Sequence, residues 1–122
     1  MPSPHRVLVI DDEVQVARAL RRMLARSGYQ VELAHTATEG LARFAETAPD
    51  VVISDFYMPD RNGCELVREV LRRAPSTVAL LLSGSLEISP DAASLCDVLW
   101  KPWSEEDILS LIARRLAERE AA

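Results

Sequence analysis

The chain has 122 residues, nearly half of them apolar, with two cysteines and a formal net charge of −5. That length supports one domain with a core of its own, and the composition excludes a disordered chain or a disulfide-stapled miniature fold. The acidic balance argues against direct nucleic-acid binding, which needs a basic face.

Met1 to His5 is too short and polar for a signal peptide, and no apolar run approaches the roughly 20 residues that span a bilayer. A soluble, cytoplasmic protein with reduced thiols at Cys64 and Cys96 is expected. Arg6 to Ile10 carries an unbroken Val7-Leu8-Val9-Ile10 run and reads as a first buried strand, stopping at Asp11-Asp12-Glu13. Val14, Ala17, Leu20 and Leu24 then recur at helical spacing, with Asp11 or Asp12 as N-cap and Gly28 as the stop. Gln30 to Ala34 alternates loosely, as a strand near a sheet edge does. Thr36 or Thr38 opens a second helix with the stripe Ala37, Leu41, Phe44, Ala45 and Ala48, closed by Pro49-Asp50.

Val51-Val52-Ile53-Ser54-Asp55 is a third strand, buried on both faces and ending in a carboxylate. A loop through Tyr57, Pro59, Asp60 and Asn62 leads to Gly63 and a third helix, with Leu66, Val67, Val70 and Leu71 facing inward and an end near Ala74-Pro75. Val78 to Leu82 is a fourth strand, ending at Ser83-Gly84. Ser89-Pro90-Asp91 has the chemistry of a helix start, but only about two turns fit before the next strand. That strand is Val98-Leu99-Trp100, ending at Lys101-Pro102. Ser104-Glu105-Glu106-Asp107 opens a final helix with a capping-box pattern, and Ile108, Leu111, Ile112 and Leu116 form its stripe.

Five short apolar strands alternating with helices predict an α/β, flavodoxin-like, doubly wound five-stranded parallel sheet of order 2-1-3-4-5. Helices cover both faces and the fourth helix is shortened. Residues 1–122 form a single domain, and Glu120-Ala121-Ala122 is a place for a linker to an output domain to begin. In such sheets ligands sit at the carboxyl ends of the strands, between strands 1 and 3. There the chain delivers Asp11-Asp12, Asp55, Ser83 and Lys101. Each has an ordinary explanation alone, as a cap, a turn residue or a solvated charge; their joint occurrence at four strand ends does not.

Carboxylates in contact repel by about 4 kcal/mol per pair at an effective dielectric of about 20, so the cluster asks for a cation. A few oxygen ligands open to solvent suit Mg²⁺, commonly completed by a substrate phosphate. Lys101 and Ser83 would then meet phosphoryl oxygens, and Asp55 could act as a nucleophile forming an aspartyl phosphate.

Asp11-Asp12, Asp55-x-x-Met58-Pro59 with Gly63, Ser83-Gly84 and Lys101-Pro102 together resemble the signature of receiver domains of two-component response regulators, over essentially the whole chain. The resemblance implies that Asp55 is the phosphoacceptor. It implies that Asp11 or Asp12, Asp55 and the backbone carbonyl of Tyr57 bind Mg²⁺. Ser83 and Lys101 would contact the phosphoryl group, and the Lys101-Pro102 bond would be cis. Such domains take phosphate from a sensor histidine kinase or a histidine phosphotransfer protein and catalyse their own phosphorylation and dephosphorylation. They signal through the surface from strand 4 to the final helix, to a downstream protein, an output domain or a homodimer partner.

The chain departs from that pattern in three places. Val98 stands where receivers carry a switching Tyr or Phe, the segment from Ser83 to Lys101 is about one helical turn short, and Ser replaces Thr at position 83. The first two leave room for a different reading, a phosphorylation-independent interaction module. A stand-alone phosphohydrolase is disfavoured, because Tyr57 stands where an Asp-x-Asp pair would need its second acid. His5 and His35 lack ligand-like spacing and read as surface or structural residues, and Trp100 and Trp103 as packing around the end of the last strand.

Overall fold

Each apolar run expected to be a strand forms one, and each is parallel to its neighbours. The computed structural model describes residues 4–84, 94–100 and 102–121. Strands β1 (Arg6–Ile10), β2 (Gln30–Ala34), β3 (Val51–Asp55), β4 (Val78–Ser83) and β5 (Asp97–Trp100) make one sheet of order β2-β1-β3-β4-β5. Four helices connect or flank them among the described residues: α1 (Val14–Arg26), α2 (Ala37–Thr47), α3 (Gly63–Arg73) and α4 (Glu105–Ala121), the last being the final helix of the sequence reading. The short helix expected from Ser89-Pro90-Asp91, Lys101 and the Lys101–Pro102 bond lie outside the described residues.

The two faces of the sheet are covered by different helices, as period-2 strands with both sides apolar require. Val7, Val9, Ile53, Leu80 and Leu82 pack with α1 and α4, through Ala17, Leu20, Leu24, Ile108, Ile112 and Leu116. On the other face Leu8, Ile10 and Val52 meet Phe44 of α2 and Leu66 and Val70 of α3. A third cluster, with Phe56, Cys64, Val67 and Leu81, continues that face toward β5, and half-buried Val98 packs against it. Burying a side chain of this size is worth about 1.5–3 kcal/mol, so the central strands anchor the domain.

Several local expectations change. Neither Asp11 nor Asp12 caps α1: Glu13 is the N-cap and makes no side-chain cap bond. Val14, in the first turn of α1, is 41% exposed, and the buried face of the helix begins at Ala17 and includes Met23. Thr36, rather than Thr38, caps α2 by accepting the Glu39 N–H. Ala45 and Ala48 are exposed, with Ala48 ending the helix at a left-handed φ of 46°, and Gly40 joins Phe44 on the buried side. Ser104 does cap the final helix, its hydroxyl accepting the Asp107 N–H at 3.0 Å. Trp103 packs against the core while Trp100 is 39% exposed. Both cysteines are free.

Candidate acidic site at the carboxyl edge of the sheet

The neighbouring strands β1 and β3 run in register to their carboxyl ends, with Ile10 beside Ser54. The residues that follow, Asp11-Asp12 and Asp55, therefore emerge side by side. Each offers a carboxylate oxygen, and these oxygens lie within 4.8 Å of one another. The three acids differ in setting: Asp11 is buried, Asp12 exposed and Asp55 half-buried.

Asp11 is held from several sides. Its N–H donates to the Ala34 carbonyl at 3.0 Å, which extends the β1–β2 ladder by one bond. Its Oδ1 accepts the Glu13 N–H at 2.9 Å. Its own carbonyl lies 3.0 Å from Nδ1 of His35, and since a carbonyl only accepts, Nδ1 carries the proton. Burial pushes the Asp11 carboxyl up to about 6; the Glu13 N–H opposes this, and the charges of Asp55, Asp12 and Glu13 reinforce it. Water is a poor remedy for a buried acid among acids, whereas a divalent cation is a good one. An all-oxygen set with one exposed and one half-buried member suits a hard, partly hydrated ion such as Mg²⁺.

The loop from Phe56 to Asn62 is fastened at both ends. The Phe56 N–H donates to the Leu82 carbonyl at 3.0 Å, and the Gly63 N–H returns to the Phe56 carbonyl at 2.7 Å. Asn62 caps α3 by accepting the Glu65 N–H at 2.8 Å. Gly63 is required by proximity: a Cβ there would stand 2.4 Å from the Asp55 carbonyl oxygen. Tyr57, two residues past Asp55, is half exposed, with its ring edge-on to Phe56 at 4.8 Å between centroids.

Ser83 is the last residue of β4 and is wholly buried. It follows Leu82, which lies beside Asp55 in the β3–β4 register, and it pairs with Trp100 of β5. The geometry thus brings Asp11, Asp12 and Asp55 into one cluster and sets Ser83 at the same edge of the sheet. Sequence reasoning left Asp60 as a loop residue and read His35 only as a surface or structural residue, with no tie to the acids. Asp60 accepts bonds from the start of α2. A signal existed in the bare α2 start, where Thr36 alone cannot satisfy every free N–H.

A family model for the response regulator receiver domain matches residues 7–113. The chain belongs to the response regulator receiver family. Response regulator MprA of Mycobacterium bovis is 35% identical over 124 residues, covering 96% of this receiver and 54% of MprA. The receiver therefore spans about half the length of that relative. A CheY-like receiver domain protein of Methanospirillum hungatei superposes with a TM-score of 0.90 at 28% identity, covering 98% of each chain. The chemotaxis protein CheY4 of Vibrio cholerae does so with 0.81 at 30% identity, covering 91% of the receiver and 98% of its own chain. No helix among the described residues is long and apolar enough to cross a membrane.

Proposed function

We propose that this receiver accepts a phosphoryl group on Asp55, in a Mg²⁺-dependent reaction, from a sensor histidine kinase or a histidine phosphotransfer protein in the cytoplasm. The observation that carries the proposal is the meeting of Asp11, Asp12 and Asp55 within 4.8 Å at the β1–β3 edge. Asp11, Asp12, Asp55 and the Tyr57 carbonyl are assigned to hold the cation, which when bound offsets negative charge on the carboxylates and on the transferred group. One Asp55 oxygen attacks the phosphorus of the phosphohistidine. The P–N bond breaks, the imidazole leaves with the electron pair and gains a proton, and an acyl phosphate forms on Asp55. In the reverse duty a water oxygen attacks the same phosphorus, the bond to the Asp55 oxygen breaks, and inorganic phosphate leaves. Ser83 and Lys101 are assigned to the phosphoryl oxygens as hydrogen-bond donor and counter-charge.

The new charge and acceptor oxygens beside Ser83 would bias two states of the surface running from β4 to α4, on which a downstream protein, an output domain or a second copy would dock. Incubation with acetyl phosphate and Mg²⁺ is expected to raise the intact mass by one phosphoryl group, and Asp55→Asn to abolish the gain. A wild-type chain that stays unmodified would sink the reading and leave a phosphorylation-independent binding module in its place.

A further inference from the structure

Two side chains outside the acidic cluster tie its loops together. Asp60 sits in the β3–α3 loop and reaches across to the first turn of α2. One carboxylate oxygen accepts the Ala37 N–H at 3.0 Å, and the other accepts the Thr38 N–H at 2.9 Å and the Thr38 hydroxyl at 2.8 Å. With Thr36 taking the Glu39 N–H at 3.0 Å, the first three amides of α2 are all satisfied, two of them by a loop more than 20 residues away. These donors hold the Asp60 carboxyl down to about 2, so it stays charged at neutral pH.

The same corner of the fold holds the other acid-bearing loop. Ala34 accepts the Asp11 N–H, and His35 donates from Nδ1 to the Asp11 carbonyl, both at 3.0 Å. Residues 34–38 therefore grip the Asp11-Asp12 loop on one side and the loop after Asp55 on the other. The β1–β3 ladder itself ends at Ile10 beside Ser54, short of the acids. Beyond that point the charges of Asp12 and Asp55 bear on Asp11, and the β2–α2 corner holds the two loops that carry them.

We propose that Asp60 and His35 are positioning residues of the cation site, fixing the spacing of Asp11, Asp12 and the loop after Asp55 before any cation arrives. The proposal rests on the reading of that cluster as a Mg²⁺-dependent phosphoacceptor site. A loop that is not held in advance must be ordered by the ion, so its ordering cost weakens binding. It leaves the chemistry of the occupied site close to intact. A split is therefore expected between Mg²⁺ half-saturation and the rate at saturating Mg²⁺.

The experiment measures Mg²⁺ binding by isothermal titration calorimetry, the Mg²⁺ dependence of phosphorylation by acetyl phosphate, and the metal-free melting temperature. The proteins are wild type, Asp60→Ala, Asp60→Asn, His35→Ala and Thr38→Val. Asp60→Ala is expected to raise the Mg²⁺ Kd and half-saturation about tenfold, as the loss of charge-assisted hydrogen bonds implies, while the saturated rate falls about twofold or less. His35→Ala should shift both in the same direction by about threefold, and Asp60→Asn and Thr38→Val by about twofold, since they keep part of the bonding. Variants that melt earlier but bind Mg²⁺ like wild type would show plain helix caps and overturn the proposal. If Asp60→Ala does not fold, an unchanged Kd in Thr38→Val and His35→Ala overturns it equally. A wild type that binds Mg²⁺ but takes no phosphoryl group defeats the functional reading alone, and the calorimetric comparison still decides the positioning role.

Discussion

The two ends of the sheet treat the same side chain in opposite ways. At the amino end, Asp50 accepts the Arg6 N–H and a guanidinium N–H of Arg119, each at 2.8 Å, and Asp97 takes a two-pronged bond from Arg115 at 2.8 and 2.9 Å. Burial pushes the Asp50 carboxyl up, but the Arg6 N–H and the Arg119 guanidinium more than offset it, and it lies below the ordinary value. At the carboxyl end Asp11 is buried near two other acids and is pushed up to about 6. Asp50 and Asp97 hold strands and helices together, as Asp60 does for a loop at the other end; Asp11 instead is buried beside the charges of Asp12 and Asp55. Such local conflict is what a binding site looks like in a fold that is otherwise self-consistent.

Three substitutions would break or sharpen that contrast. The largest effect is expected at Gly63, where the start of α3 lies against the Asp55 backbone. Gly63→Ala puts a methyl into the Asp55 carbonyl, which cannot rotate away, and should cost about 3 kcal/mol in urea denaturation. A loss below about 1 kcal/mol would mean that α3 slides freely and does not fix Asp55.

Next comes Asp11→Asn, which keeps the acceptor for Glu13 while removing a charge. In chelator at pH 7 it should stabilise the chain by on the order of 2 kcal/mol, while Mg²⁺ binding is lost. The pH dependence follows from the same shift. The folded Asp11 holds its proton up to about 6, against an ordinary value of 3.8. Its contribution to stability is full below 3.8 and is lost as pH rises through 6. Metal-free wild type should therefore gain stability as pH falls from 7 toward 5, and the Asn variant should lack that gain; a destabilised variant breaks the contrast.

The smallest effect belongs to the amino end. Arg119→Ala removes the partner of Asp50 from a partly exposed pair and should cost roughly 1 kcal/mol. Asp50, held below its ordinary value of 3.8, contributes stability above that value and loses it as pH falls further. The variant should lose part of this acid sensitivity, read as a flatter stability profile as pH falls below the ordinary value of 3.8. An unchanged profile would remove the amino end from the comparison.

The strands and their order were legible because each is an apolar run of strand length, and the edge position of β2 followed from its looser alternation. Asp55 was legible for the same reason, as a charge at the end of such a run. The separate settings of Asp11 and Asp12 were not. Asp11 and Asp12 both read as candidate caps, and only the burial of Asp11 and the helix start at Val14, which leaves Glu13 as N-cap, separate them. Asp60 escaped notice because its partners lie in another helix, and a loop aspartate reads as turn chemistry until that contact is known. His35 reads from sequence as a surface or structural residue, and what it holds depends on the β1–β2 pairing. Val14 was misplaced because helical spacing fixes a face and not how far along the helix the core extends.

The place of β1 inside the sheet, between β2 and β3, has a consequence for how the chain is made. Val7 to Ile10 are synthesised before either neighbouring strand, and Val7 finds its partner Val51 on one side only after some 40 further residues. Pairing across so long a stretch comes late in folding. During that wait a four-residue apolar run stands open on a nascent chain, the kind of segment that associates with others of its sort. Asp11, Asp12 and Glu13 follow it directly, so charges that later crowd one end of the sheet first serve as gatekeepers against misassembly.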